Sequence, residues 1–221
     1  MNLSLADFDG IDTASVSDAM DGLGLKSSWL PSISPRVPGT RLLGPAYTVR
    51  YSPITELSAG FRNAANFIDS VPSGSVIVSV NSTGISCTTW GDLVTIAAMK
   101  RGVSGAIISG YARDISPIRR MNFSLFSSGV SMVSAKNRIS MEAVQVPVEI
   151  DGVTVSPGDI VIADDNGAMV IESTVSTKVL GRSLSVEEVE NDIARAVQNG
   201  SSLRSARERY GYATPWSRAS Q

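Results

Sequence analysis

The sequence predicts a mixed α/β fold, on three observations. An apolar run, SVIVSV at 75–80, reads as a strand; a helical pattern follows over 93–101; a second short apolar run then reads as a strand over 106–109. Strand, helix, strand at this spacing is a βαβ unit, with parallel strands and a right-handed crossover. Beyond residue 124, short apolar runs separated by turn dipeptides add further strands.

Taken in order, residues 12–24 predict a helix: Asp12 or Thr13 can cap it, Val16 and Met20 share a face, and Gly22 and Gly24 stop it. Pro31, Pro35 and Pro38 mark a loop. A short strand lies within 43–51, and 56–71 carries Leu57, Phe61, Ala64, Ala65 and Ile68 at helical spacing. Residues 81–91 are rich in Gly, Ser and Thr and read as a loop, and Gly102 ends the helix of the βαβ unit. Later strands are expected at 124–126, 130–133, 146–150, 159–163 and 168–171, with turns at Asp151-Gly152 and Pro157-Gly158. Two helices close the chain, the second starting at Ser185 with Glu188 three residues on, a capping-box pattern, and ending at Gly200. This divides the chain into one domain over 1–202 and a tail over 203–221. The tail mixes Arg204, Arg207, Arg209 and Arg218 with Tyr210, Tyr212 and Trp216, and reads as an interface arm or loose terminus rather than an RNA-binding element.

Composition narrows the chemistry. A chain of 221 residues, 43% hydrophobic, can bury a sizeable core. No apolar run is long enough to span a bilayer, and the N-terminal residues lack the basic start and long apolar stretch of a secretory signal. The single cysteine, Cys87, rules out an intrachain disulfide framework and suits a cytoplasmic protein. A net charge of −2 gives no reason to expect nucleic acid. There is no histidine, which removes the commonest acid/base near neutral pH, Ser-His-Asp and Cys-His catalysis, and zinc sites of the His/Cys kind. Any metal must be held mainly by oxygen, pointing to Mg²⁺ or Mn²⁺.

The βαβ unit locates a candidate site. Loops 81–91 and 110–114 leave the C-terminal ends of its two parallel strands, the sheet edge where open α/β sheets bind ligands. Gly91 and Asp92 close the first loop and Arg113-Asp114 lie in the second, so two carboxylates and a guanidinium should converge. Asp92 also reads as the N-cap of the helix, and the backbone N–H groups of Leu93 and Val94 offer a carboxylate site at its positive end. Arg113-Asp114 also fits a loop ion pair or cap, and Gly110 would let backbone and ligand approach. Glu190 shares one helix face with Val186, Ile193 and Val197, so that carboxylate needs an arginine, a metal-bound water or a neighbouring subunit.

Asp92, twenty intervening residues, then Arg113-Asp114 resembles the signature of the class II 4-hydroxy-4-methyl-2-oxoglutarate / 4-carboxy-4-hydroxy-2-oxoadipate aldolases, which share their fold with the regulator of RNase E activity, protein A. TASVSDAM (13–20), RLLGPAYTVR (41–50), WGDLVTIAAMKRGVSGAIISGYARD (90–114), VPVEIDGVTVSPGDIVIADDNGAMVI (146–171) and the acid-bearing last helix are similar to it in order, over nearly the whole chain. The resemblance implies a single β/β/α sandwich of the swivelling-domain type with C-terminal helices, assembled as homotrimers or hexamers with shared active sites. It implies retro-aldol cleavage of a 4-hydroxy-2-oxo acid to pyruvate and a second carbonyl acid, with oxaloacetate decarboxylation as a side activity. By the same resemblance Asp114 is the Mg²⁺ ligand and Arg113 holds the 2-oxo oxygen as it becomes an enolate. Asp92 holds a metal-bound water, Leu93 and Val94 grip the substrate carboxylate, and Glu190 comes from an adjacent subunit. A Schiff-base aldolase would need a buried lysine, which neither Lys26 nor Lys100 resembles. Many relatives carry an acid where this chain has Ser109 and a larger residue where it has Ala112, and loop 81–89 is unusually hydroxyl-rich; the substrate can differ accordingly. Two other readings are a non-catalytic, protein-binding regulator of an RNA-degrading enzyme and a specialised lyase or hydratase using the same site. The first is disfavoured by the presence here of both the Arg-Asp pair and the acid-bearing helix.

Overall fold

The computed structural model describes residues 5–8, 10–54 and 65–215, in two compact units. Residues 28–173 form the first, and the segments before and after it form the second. The first is built on a nine-stranded, nearly closed mixed sheet. Its elements are β1 (Ser34–Pro35), β2 (Leu42–Pro53), β3 (Val76–Val80), β4 (Thr88–Trp90), α2 (Asp92–Arg101), β5 (Gly105–Ala112), α3 (Ile115–Met121), β6 (Leu125–Val130), β7 (Ile139–Val144), β10 (Ile160–Asp164) and β11 (Gly167–Ile171). The strand order is β1-β6-β5-β3-β2-β10-β11, with β4 added beside β5 and β7 beside β2. A separate hairpin pairs β8 (Val148–Ile150) with β9 (Val153–Val155) around the expected Asp151-Gly152 turn.

Period-two alternation explains the layering. On β3, Ile77 faces one hydrophobic cluster and Val76, Val78 and Val80 face the other; on β5, Ala106 and Ile108 oppose Ile107 in the same way. The first cluster takes Ala98 of α2 and Ile118 of α3, and the second takes Val148, Ile150 and Val155 of the hairpin. Strands covered on both faces read as unbroken apolar runs, which is why SVIVSV was legible.

The expected βαβ unit is present: β3 and β5 pair in parallel from Val76↔Gly105 to Val80↔Ser109, joined by α2, and Gly102 ends the helix in the left-handed conformation at φ 73°. Other expectations need correction. The loop at 81–91 contains β4, and α3 follows Asp114 directly. The strand expected at 124–126 is β6, which runs on to Val130; residues 131–133 lie outside any strand, and β7 was not foreseen. The Pro-rich loop contributes β1 to the sheet edge, paired to Ser127 and Phe126. Of the helix expected at 56–71, residues 66–70 form a short 3-10 turn; 56–64 lie outside the described residues, as do Trp216 and Arg218.

The second unit contains α1 (Thr13–Gly22), α4 (Ser176–Gln198) and α5 (Leu203–Tyr210). Asp12 caps α1 by accepting the Ser15 N–H at 2.7 Å. The two closing helices expected to meet at Ser185 are instead one 23-residue helix, α4; Ser185 lies inside it and its capping box is unused. Val189, Ile193 and Ala196 of α4 pack on Ala206 of α5, so the expected tail begins as a docked helix. Among the described residues, no helix is long and apolar enough to cross a membrane.

Candidate functional site

Parallel pairing of β4 with β5, with Trp90 opposite Ala112, brings the start of α2 beside the segment that leaves β5. The Arg113 N–H donates to the Trp90 carbonyl at 3.0 Å, joining the two loops. Together they line a cleft of about 500 Å³ that contains Gly91, Asp92, Leu93, Val94, Arg113 and Asp114. Every site residue predicted from the βαβ unit therefore faces one cleft.

Asp114 adopts the left-handed conformation (φ 57°, ψ 37°) at the position before α3, yet its carboxylate does not cap that helix. The side chain turns to the other loop, where Oδ2 accepts the Asp92 N–H at 3.4 Å and lies 3.4 Å from Arg113 Nε. Gly91 is what permits this approach, since a Cβ there would sit 2.7 Å from Asp114 Oδ2 and 3.4 Å from Arg113 Nε. Asp114 Oδ1 has no partner among the described residues. Mg²⁺ commonly takes one or two carboxylates and keeps several waters, so one open carboxylate oxygen with a second acid beside it fits this ion. An all-protein cage does not fit, for no group of three or more His, Cys, Asp or Glu among the described residues could hold a metal.

The start of α2 differs from expectation in one respect. Gly91 is the N-cap and Asp92 the first helical residue; the Asp92 carboxylate accepts the Leu93 N–H at 2.7 Å. Of the two amides expected to grip a carboxylate, only that of Val94 has no partner among the described residues. A ligand carboxylate reaches Leu93 by displacing the Asp92 side chain.

Covalent alternatives are poorly served. All four lysines are exposed, so none has the desolvated setting a Schiff-base lysine needs. Cys87 is wholly buried, and burial pushes its thiol above its ordinary range, against a thiolate nucleophile. Gly110 lies in β5 at φ 142°, where the pairing with β6 shifts register between Ile108 and Tyr111.

Sequence reasoning did not assign to the cleft several of its polar residues, among them Asn66, Asp69, Ser134 and Lys136. A parallel bridge from Thr88 to Ser134 carries the latter two there, a long-range pairing that no local pattern announces.

Glu190 belongs to the other unit. The buried stripe of α4 is Val186, Val189, Ile193 and Ala196, while Glu190 and Val197 are exposed, which corrects the expected face. Glu190 lines a cavity of about 260 Å³ with Asp18, Asp21, Val186, Val189 and Tyr212. It has no hydrogen-bond or ion-pair partner among the described residues. Partial burial, then the charges of Asp18, Asp12 and Glu187, raise its pKa; burial, Asp21 and Asp12 raise that of Asp18.

The family model described as RraA-like, Aldolase/RraA, matches residues 13–170. Protein DlpA of Legionella pneumophila is 42% identical over 205 residues, covering 93% of this chain but 33% of its own length, so the chain spans a third of that relative. A protein of Halalkalibacterium halodurans provisionally named 4-hydroxy-4-methyl-2-oxoglutarate aldolase is 28% identical, covering 88% of this chain and 89% of its own. A crystal structure from Pseudomonas syringae pv. tomato superposes with a TM-score of 0.83 at 44% identity, covering 94% of this chain and 99% of that one. The match spans most of the chain and takes in α1 together with the whole cleft: the protein belongs to the RraA-like, Aldolase/RraA family.

Proposed function

We propose that this protein is a divalent-metal-dependent carbon–carbon lyase that cleaves a 4-hydroxy-2-oxo acid to pyruvate and a second carbonyl acid. The observation that carries the reading is the convergence of Asp92, Arg113 and Asp114 at one cleft, with Asp114 Oδ1 open to it. The family supports an aldolase at a coarse level, and the Arg-Asp pair and Asp92 supply the polar groups such a cleavage needs.

Asp114, with Asp92 beside it, would hold Mg²⁺ or Mn²⁺, which would supply Lewis-acid charge to the substrate's carboxylate and ketone. The Val94 N–H, at the positive end of α2, receives the carboxylate. Asp92 takes the 4-hydroxyl proton through an intervening water, and the C3–C4 bond breaks as its electrons move into the C2–C3 enolate. The Arg113 guanidinium donates to the enolate oxygen, placing positive charge where negative charge develops. The proton taken up by Asp92 returns through the same water to C3 and completes pyruvate. Losing CO₂ from oxaloacetate leads to the same enolate, so decarboxylation follows from the same groups.

Assembly is part of the proposal: a homotrimer or hexamer in which a neighbouring subunit contributes Glu190. Two observations support it. Glu190 lacks a partner among the described residues, and α2 leaves Leu93, Ile96 and Met99 exposed at three-residue spacing beside the cleft. The test is NMR of purified protein with Mg²⁺ and a mixture of 2-oxo acids and 4-hydroxy-2-oxo acids. Pyruvate should appear, stop appearing with EDTA and return with Mg²⁺ or Mn²⁺; full turnover by metal-free protein in EDTA would sink the metal mechanism.

A further inference from the structure

Three polar groups at the cleft, on the buried side chains of Trp90 and Thr95 and the half-buried backbone of Gly91, form a chain that ends at Asp114. The Trp90 indole N–H donates to Thr95 Oγ1 at 2.8 Å, and Thr95 Oγ1 donates to the Gly91 carbonyl at 3.0 Å. The same carbonyl accepts the Thr95 N–H at 3.1 Å, the first backbone bond of α2. Thr95 is fully buried and Trp90 nearly so, with Trp90 stacked on Phe123. The indole can only donate, so the one hydroxyl proton of Thr95 is directed to Gly91.

That carbonyl shares a peptide group with the Asp92 N–H. A trans peptide is planar, so its C=O and N–H point in opposite directions and turn together. Holding the carbonyl from inside the protein therefore aims the N–H outward, and its acceptor is Asp114 Oδ2 at 3.4 Å. Gly91 is otherwise the residue least able to hold that plane, having no side chain to restrict its torsions.

We propose that Thr95 is a positioning residue: its hydroxyl, oriented by Trp90, locks the Gly91–Asp92 peptide so that its N–H holds the Asp114 carboxylate for the cation. The consequence for the cation rests on the reading of Asp114 under the proposed function; the consequence for the peptide does not. Thr95 acts through backbone and touches neither substrate nor metal.

The test compares Thr95→Val with Thr95→Ser by two readouts. The first is the ¹H–¹⁵N resonance of the Asp92 amide in metal-free protein. The second is Mn²⁺ affinity measured by water-proton relaxation. Thr95→Val should shift the Asp92 amide upfield, as a weakened hydrogen bond does, and weaken Mn²⁺ binding about 10-fold or more, the range for lost outer partners of a metal ligand. Thr95→Ser should restore both, and Trp90→Phe, which keeps the hydroxyl but not its orientation, should fall between. A Thr95→Val protein that is merely less heat-stable, with the Asp92 amide and Mn²⁺ affinity unchanged, overturns the proposal, as does failure of serine to restore them. Should the valine variant not fold, Thr95→Ala gives the same two readings. If wild-type protein binds no Mn²⁺, the metal reading fails while the amide resonance still decides the positioning role.

Discussion

Two acidic regions of this molecule are built on opposite principles. At the cleft Asp92 and Asp114 are met within their own unit: Asp114 Oδ2 by Arg113 and the Asp92 N–H, the Asp92 carboxylate by the Leu93 N–H. Along α1 and α4 like charges crowd instead. Asp18 and Glu190 line one cavity with Asp21, and their pKa values rise because nearby carboxylates add to the effect of burial. The first arrangement fits the proposed lyase site, with dipoles and charges fixed before a ligand arrives. The second is unfavourable among the described residues alone and is relieved by protonation or by a cation from elsewhere. The difference separates what the described residues complete from what they leave open.

The largest effects should come from the matched region. Asp114→Ala should abolish metal binding and lyase activity together, by calorimetry with Mn²⁺ and a pyruvate-release assay. Arg113→Lys should keep the metal but lose roughly 10²–10³ in kcat, the effect of removing one well-placed oxyanion donor. Full activity in Arg113→Lys would remove it from the enolate.

Mixing variants probes whether the unmatched region is completed by a neighbour. Asp114→Ala and Glu190→Ala should each be nearly inactive alone. Unfolded together and reassembled, they should regain part of the activity, because some interfaces then pair an intact Asp114 with an intact Glu190. A monomer by light scattering, or no recovery on mixing, would break the shared-site model.

A smaller effect is expected at Gly91→Ala. Its Cβ would press on Asp114 Oδ2 at 2.7 Å, while the extended backbone there (φ −156°) suits alanine. The fold should hold, with an unchanged melting temperature to within a few degrees. If Asp114 holds the cation as proposed, metal affinity should fall about 10-fold, the range for disturbing the surroundings of a metal ligand.

The two regions also differed in how far the sequence disclosed them. The cleft was legible because a βαβ unit carries a geometric rule: parallel strands end on one sheet edge, so Asp92 and Arg113-Asp114 had to meet. Lys136 and Ser134 were not, because the Thr88–Ser134 bridge joins segments far apart in sequence. Placing Glu190 on a helix face with Val186 and Ile193 was sound in period but not in phase. The buried set advances through Val189 and Ala196 instead, and α5 packs there at Ala206, which no pattern within α4 encodes. The Ser185 capping box misled for a related reason: an N-cap residue must itself be non-helical, and here α4 runs unbroken through Ser185 from Ser176. Local signals state what an element can do at its ends, and tertiary packing decides whether an end occurs.

The smallest effect sharpens the comparison most. A carboxyl whose pKa is higher in the folded than in the unfolded protein opposes folding once ionised. That penalty is absent at a pH below the ordinary carboxylate range, grows as pH rises towards the raised folded value, and is complete above it. Asp18→Asn should therefore raise the melting temperature at pH 7 and leave it nearly unchanged at about pH 3. Both carboxyls are exposed to solvent, so the gain should stay below about 1 kcal/mol. Glu190→Gln separates two cases. If Glu190 stays crowded by Asp18, Asp12 and Glu187 alone, the glutamine variant should be stabilised at pH 7 in the same way. If a neighbouring subunit brings a cation or a donor to Glu190, the same substitution should loosen the assembly and lower its melting temperature, with a dependence on protein concentration that Asp18→Asn lacks. Melting curves at two pH values and two concentrations decide between a carboxylate the chain merely tolerates and one it holds for a partner.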